Sequence, residues 1–407
     1  MSKYINHIMD ILLIICWSFA QLLKKSPQKD STKRVLCILE LSGVGDTICA
    51  TDALYNLWLN TRGKAELYIA APKPAIHLLK TCKLALDAYW IELNTDGDQK
   101  FRFNPFRENH RKICKYHWDC VIKMDLLSSY VRLLLLGCAS NKIIGMDFYG
   151  SHPNPIDKLA GRFLQNLKII YFPCEAFILE YNKHLIEATI QYLNLALLPY
   201  KEYNIPILDT SPISPQKYRY CILCPSVSTS HIDRERKWPL ERFTEVTDYI
   251  IDNSEISIVV CGIKSDKTDN DYIVTHCKDA SRIIDMTGKT TFTQWIELIR
   301  NAVFLFGNDS GYTHLAAFLK TPSFVLAGYW NYGNFLPYTG SYIRQKALPI
   351  NIRAPKPSCC SCNHRKVCDS AKTACDKMVK AKGMYKCAWD ISVKQVEQKL
   401  LESSVLK

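Results

Sequence analysis

The sequence predicts an α/β protein of two doubly wound, Rossmann-like domains facing a cleft, with a cysteine-rich C-terminal extension. Three observations carry that prediction. Short, nearly continuous apolar runs alternate with helix-length segments, as parallel strands covered by helices on both faces require. The alternation runs twice, once before and once after the proline-rich linker SPISP, Ser211 to Pro215. In the first series the first apolar run ends in a glycine-containing turn that opens a helix, which is where such sheets bind ligands. The expected divisions are an apolar segment and linker (1–32), a first domain (33–210), a second domain (211–350), and a tail with a terminal helix (351–407).

The elements follow in order. The run Ile11 to Ala20 (ILLIICWSFA) has Lys3 before it and Lys24 and Lys25 after it, and Asp10 interrupts its start. It falls short of the ~20 apolar residues that cross a bilayer comfortably. It reads as an interfacial anchor with Trp17 and the lysines at lipid headgroups. A cleaved leader ending at small residues, and a plain helix over a core patch, are the competing readings. Val35 to Leu41 is the first buried strand, followed by a glycine-containing turn and a helix from Asp46 to Asn60. Glu66 to Ala71, Cys120 to Asp125 and Lys142 to Asp147 read as strands, and Pro74 to Cys82 as a helix. The polar, basic stretch Asn94 to Lys115 reads as an irregular insertion, and Asn182 to Leu198 as the closing helix.

After the linker, Tyr220 to Ser226 is a strand. Pro239 to Asn253 is a helix whose proline sits where a missing N–H costs nothing. Ser257 to Gly262, Arg282 to Met286, Val303 to Asn308 and Ser323 to Gly328 read as strands. Thr293 to Asn301 and Tyr312 to Leu319 are helices between them, and Ser392 to Glu402 is the last helix.

Of the 407 residues, 48% are hydrophobic and 22% charged, which excludes a disordered chain and a polytopic membrane protein. Lys and Arg outnumber Asp and Glu by 52 to 39, and the resulting +13 favours anionic partners. Nucleic acid is not among the expected ones, because no recognisable module interleaves aromatics with the basic residues. Cysteine occurs 18 times, yet a chain of this size needs no disulfides to hold its core. Cys37, Cys221 and Cys261 lie inside apolar runs, where the residue acts as a small hydrophobe, and the compartment reads as reducing.

Three turns can carry chemistry. In Ser42-Gly43-Val44-Gly45-Asp46-Thr47, Gly43 and Gly45 let the backbone approach a ligand, although this is not the dinucleotide fingerprint. Asp46 is either a helix cap or a carboxylate able to take a proton from a hydroxyl. In Gly307-Asn308-Asp309-Ser310-Gly311-Tyr312-Thr313-His314, Asp309 and Ser310 cap a helix, or the N–H groups around Ser310 and Gly311 cradle a diphosphate. His314 is either packed or catalytic. In the third, Ser226, Ser228 and Thr229 precede Arg234, Arg236 and Lys237, a set suited to phosphate. In the tail, Cys359 and Cys362 stand in C-x₂-C spacing, and Cys368, Cys375 or Cys387 can complete four thiolates. Structural zinc or iron is one reading and reduced cysteines on a loop the other. A metal there would pin the tail so that the terminal helix returns to the first domain.

In this order and spacing the pieces LELSGVGDTICATDAL, KWPLERFTEV and GNDSGYTHLAAFLKTPSFVLAG resemble glycosyltransferase family 9, the heptosyltransferases of lipopolysaccharide assembly. The resemblance covers roughly Arg34 to Gly328. It implies an inverting, metal-independent transferase of GT-B type that needs no cofactor for catalysis. The implied partners are a nucleotide-sugar donor such as ADP-heptose, a lipopolysaccharide core or related glycan acceptor, and an anionic membrane surface. The implied place is the cytoplasmic face of a bacterial inner membrane. By the same resemblance Asp46 is the general base, and Lys237 contacts the donor phosphate. Ser228 and Thr229 touch the diphosphate, and Asp266 binds the ribose. Asp309, Ser310 and Gly311 meet the donor sugar and diphosphate, with His314 nearby. Another nucleotide sugar, a protein acceptor, or a catalytically silent relative are the alternatives on the same fold.

Overall fold

The computed structural model describes residues 2–23, 27–39, 43–84, 87–94, 102–124, 129–148, 155–164, 166–172, 177–211, 218–227, 236–328, 335–336, 338, 347–355 and 378–407. It divides into two units, Met1–Tyr203 and Asn204–Lys407.

The first unit runs α1 (Ser2–Gln21), β1 (Arg34–Ile38), α2 (Val44–Cys49), α3 (Thr51–Thr61), β2 (Glu66–Pro72), α4 (Lys73–Thr81) and β3 (Tyr89–Leu93). It continues with α5 (Phe103–Ile113), β4 (Cys120–Lys123), α6 (Ser129–Leu135), β5 (Ile143–Phe148), α7 (Pro155–Phe163), β6 (Leu167–Phe172) and α8 (Ile178–Tyr192). Its six strands pair in the order β3-β2-β1-β4-β5-β6, all parallel. Val35 to Ile38 are wholly buried, which is why the apolar run of β1 is unbroken. Cys37 and Cys120 are buried in this sheet, and burial pushes the Cys120 thiol up to about 12. Both therefore stay neutral thiols and pack as small hydrophobes.

The second unit runs β7 (Tyr220–Cys224), α9 (Leu240–Asn253), β8 (Ser257–Val260), α10 (Lys267–His276), β9 (Ile283–Asp285), α11 (Phe292–Arg300), β10 (Leu305–Asn308), α12 (Gly311–Leu319), β11 (Ser323–Leu326) and β12 (Ile350–Ile352). A terminal helix, α13 (Val393–Ser403), closes it. The strand order is β12-β11-β10-β7-β8-β9, again all parallel. Counted within its own unit, this is the order of the first sheet. In both, the first strand lies between the second and the fourth, so the order reverses at β1/β4 and at β7/β10. Gly307 in β10 is required by that packing: a Cβ there would stand 2.5 Å from the Cys224 carbonyl oxygen.

Four expectations need correction. The helix from Asp46 to Asn60 is two helices that meet at Ala50, whose N–H still bonds Asp46 O at 3.0 Å. The supposed insertion at 94–115 contains α5. Its outward Arg107, Glu108, Arg111 and Lys112 hide an inward face of Phe106, His110 and Ile113 at helical spacing. Trp17 does not point outward: its ring meets Phe103 at 6.0 Å and His110 at 6.4 Å, with Arg107 and Arg111 over it. Lastly, α13 belongs to the second unit. Val396 and Leu400 enter the core beside Phe243 and Ile250, and the Trp238 indole N–H donates to Ile391 O at 3.0 Å. The Ser392 hydroxyl and Gln395 side chain cap the helix reciprocally.

Candidate active site

At the first reversal, α2 follows β1 in the chain. Gly43 stands at the helix cap and Asp46 in the first turn, so Asp46 is not itself the cap. The carboxylate folds back over the glycine: a Cβ on Gly43 would lie 3.5 Å from Asp46 Oδ2. Asp46 lines a cavity of about 20 Å³ with Leu39, Thr47, Ala50, Met124, Ile178 and Asn182. Leu39 and Met124 lie immediately past the carboxyl ends of β1 and β4, so the cavity sits at the reversal. That volume admits about one water and no sugar ring. Asn182 of α8 fixes the wall, donating from Nδ2 to Cys49 O at 3.0 Å. A larger cavity of about 300 Å³ lies between α3, α8 and residues 197–200, and none of the sequence-predicted residues lines it.

At the second reversal the polar groups are bonded to one another. Asn308, the last residue of β10, donates from Nδ2 to Pro225 O at 2.6 Å. Its Oδ1 accepts the Trp238 N–H at 3.1 Å. The side chain thus ties the loop after β7 to the turn after β10. On that loop Arg236 Nη1 lies 4.0 Å from Asp309 Oδ2. The Lys237 ammonium is bonded to Asp269 Oδ1. Asp269 Oδ2 accepts the Ser226 hydroxyl at 2.9 Å, so one carboxylate spans the start and end of the loop. Ser310 occupies the cap of α12 without capping it. Its Oγ is buried and has no hydrogen-bond partner among the described residues. Buried hydroxyls left in that condition are uncommon.

Other predicted residues face inward. Asp266 is buried, its Oδ2 accepting the Ile263 N–H at 2.9 Å and the Tyr312 hydroxyl at 3.5 Å. Burial raises its pKa despite those donors. Gly262 makes room for it, since a Cβ there would collide with Asp266 Oδ2. His314 is buried, with Nδ1 2.7 Å from the Tyr338 hydroxyl and the two rings stacked. Burial lowers its pKa, so it is held as a neutral, packed imidazole. Ser228 and Thr229 lie outside the described residues, as do Cys359, Cys362, Cys368 and Cys375. Among the described residues no cluster of three His, Cys, Asp or Glu side chains is arranged to hold a metal ion.

Sequence reasoning missed Asp269. The signal was present: it stands three residues after Asp266, hence on a neighbouring position of one helical turn, within reach of the same loop.

Residues 175–353, a little under half of the chain, match the family described as glycosyltransferase family 9 (heptosyltransferase). Over 108 residues the chain is 31% identical to lipopolysaccharide heptosyltransferase 3 of Escherichia coli (strain K12). That match spans 26% of this chain and 31% of the relative, so it covers about a third of the relative's length. In fold the likeness extends much further. The structure of E. coli ADP-heptose lps heptosyltransferase II overlays with a TM-score of 0.58 at 18% identity, covering 92% of this chain and 98% of that one. The iron-containing dodecameric glycosyltransferase TibC of enterotoxigenic E. coli overlays with a TM-score of 0.50 at 14% identity, covering 93% and 78%. The matched segment takes in the whole second reversal, from Ser226 to Gly311.

Proposed function

We propose, from the family 9 match over residues 175–353, that the chain is a glycosyltransferase. In this reading it moves a sugar, heptose from ADP-heptose, onto a lipopolysaccharide core or related glycan with inversion. One observation carries the reading: at the β7/β10 reversal Arg236 and Lys237, paired with Asp309 and Asp269, stand on the loop that Asn308 ties to the turn opening α12. Such a turn is suited to a diphosphate.

The chemistry is a single displacement. An acceptor hydroxyl gives its proton to Asp46 while its oxygen bonds to the anomeric carbon. The bond from that carbon to the diphosphate oxygen breaks on the opposite face. Lys237, Arg236 and the N–H groups at Ser310 and Gly311 take up the charge that appears on the departing diphosphate. Asp269 holds the Lys237 ammonium in position without touching substrate. Asp266, being turned inward, acts on a ribose only through the loop it caps. The tail cysteines are proposed as ligands of structural zinc or iron, on their spacing alone, and take no part in the displacement.

The test is a panel of nucleotide sugars offered with a deacylated lipopolysaccharide core, with nucleoside diphosphate release followed and the product anomer read by NMR. ADP release from ADP-heptose with inversion is expected. A retained anomer, or no diphosphate release from any donor, overturns the reading.

A further inference from the structure

The threonine that follows Asp46 departs from a habit of its neighbours. On a helix, a threonine hydroxyl can turn back to the carbonyl four residues earlier. Thr61, Thr189 and Thr247 do so, at 2.8, 2.9 and 2.8 Å from Leu57 O, Leu185 O and Phe243 O. Thr51, at the start of α3, does so too, at 3.3 Å from Thr47 O. Thr47 does not, although Gly43 stands four residues before it at the cap of α2. It is 1% exposed, and its Oγ1 is buried with no hydrogen-bond partner among the described residues.

What Thr47 meets instead is the cavity of about 20 Å³ that it lines together with Asp46. A space of that size takes one water, and a buried water is held by roughly two to four polar groups. The lining supplies three: the Thr47 hydroxyl, the Asp46 carboxylate and the Asn182 amide. Leu39, Met124 and Ile178 close other sides with apolar side chains. Asn182 is buried and fixed by its bond to Cys49 O, so the amide is set before anything enters.

We infer that Thr47 and Asn182 hold one water against the Asp46 carboxylate, which makes Thr47 a positioning residue for the base. The inference rests on Asp46 acting as the base, as proposed above. The Thr47 O–H donates to the water, the water donates to one carboxylate oxygen, and the Asn182 amide completes its shell. Hydrogen bonds in such a chain polarise one another, so the water donates more strongly than a free one. One carboxylate oxygen then has a fixed direction, and the other takes the proton of the acceptor hydroxyl. Thr47 itself touches no substrate: it is buried where Asp46 is half-buried, and the cavity admits no sugar ring.

The experiment uses the full chain with ADP-heptose and a deacylated lipopolysaccharide core. Thr47→Val keeps the branched shape and removes the hydroxyl, and Thr47→Ser keeps the hydroxyl. Thr47→Val is expected to lower the single-turnover rate about tenfold, with acceptor KM and nucleoside diphosphate affinity unchanged. Thr47→Ser should recover the rate to within about threefold of wild type. A crystal structure of the wild type should show a water within hydrogen-bond distance of both Thr47 Oγ1 and an Asp46 carboxylate oxygen. A dry cavity there overturns the inference. So does a Thr47→Val enzyme that keeps the full rate and melts higher than its parent, since the hydroxyl would then be an unpaired group in an apolar wall. Asp46→Asn tells the two failures apart. Full turnover in that variant removes the base itself, whereas a loss there with full turnover in Thr47→Val removes only Thr47.

Discussion

In the first unit the strand-order reversal opens on one carboxylate beside a cavity of about 20 Å³. In the second, the same reversal opens on a loop held from outside, its Lys237 ammonium by Asp269 of α10 and its backbone by the Asn308 amide at the end of β10. The topology is shared, so topology is not the source of the difference. It lies in which residues stand at and just past the strand ends: glycines and Asp46 in one, Asn308 and a run of cations in the other. Among the described residues the first end presents the Asp46 carboxylate beside a wall held by Asn182. The second end is organised before any ligand arrives, which is where electrostatic stabilisation of a leaving group is strongest.

The widest separation of the two ends should come from Asp46→Asn. Turnover is expected to fall by ~10²–10⁴, the ordinary worth of a general base, with nucleoside diphosphate affinity unchanged. Single-turnover kinetics and calorimetry measure the two quantities, and activity within a few-fold of wild type would erase the distinction drawn here.

The second end should answer differently. Lys237→Ala is expected to lower the rate by ~10²-fold and to weaken diphosphate binding together. Asp269→Asn, which keeps the shape but loosens the ammonium, should cost about tenfold in rate with a smaller change in diphosphate affinity. If Asp269→Asn left the rate untouched while only lowering the melting temperature, the carboxylate would be a loop staple and no positioning residue.

The smallest effect concerns stability. Burial pushes the Asp285 carboxyl up, but the Thr287 hydroxyl and N–H and the Lys267 ammonium outweigh it and hold it at about 2. The folded value lies below the unfolded one, so the contribution is complete above the unfolded pKa and fades as pH falls from about 4 toward 2. Asp285→Asn should therefore cost the second unit on the order of 1 kcal/mol at pH 7, after solvent screening of this partly exposed group, and almost nothing near pH 2. Thermal unfolding at both pH values checks it; a gap that persists unchanged at low pH would assign the effect to packing.

How much of this could be read beforehand varies with burial. Central strands such as β1 and β7 were legible because both faces are covered and the apolar run is unbroken. The edge strand β3 was not, since Tyr89 and Glu92 face solvent and dilute the pattern. Helix α5 was hidden by its basic face. The strand-to-helix connections that hold Asp46 and Ser310 were legible by residue type and order. The direction of a side chain was not: Asp266, His314 and Trp17 point inward because of neighbours far off in sequence, Tyr312, Tyr338 and Phe103. Periodicity also marks α13 as amphipathic without saying which unit it covers.

The seat of α13 has a consequence for how the chain is made. Synthesis proceeds from the N-terminus at about 5–20 residues per second, and domains tend to fold as they emerge. Every strand of the first sheet is contained in Met1–Tyr203, so that unit can fold while the second is still being translated. The second unit cannot: Val396 and Leu400 cover Phe243 and Ile250, and the Trp238 indole finds its acceptor at Ile391. Until Ile391, Val396 and Leu400 have been made, that core stays open to water, and the nascent chain carries one finished half and one waiting for its lid.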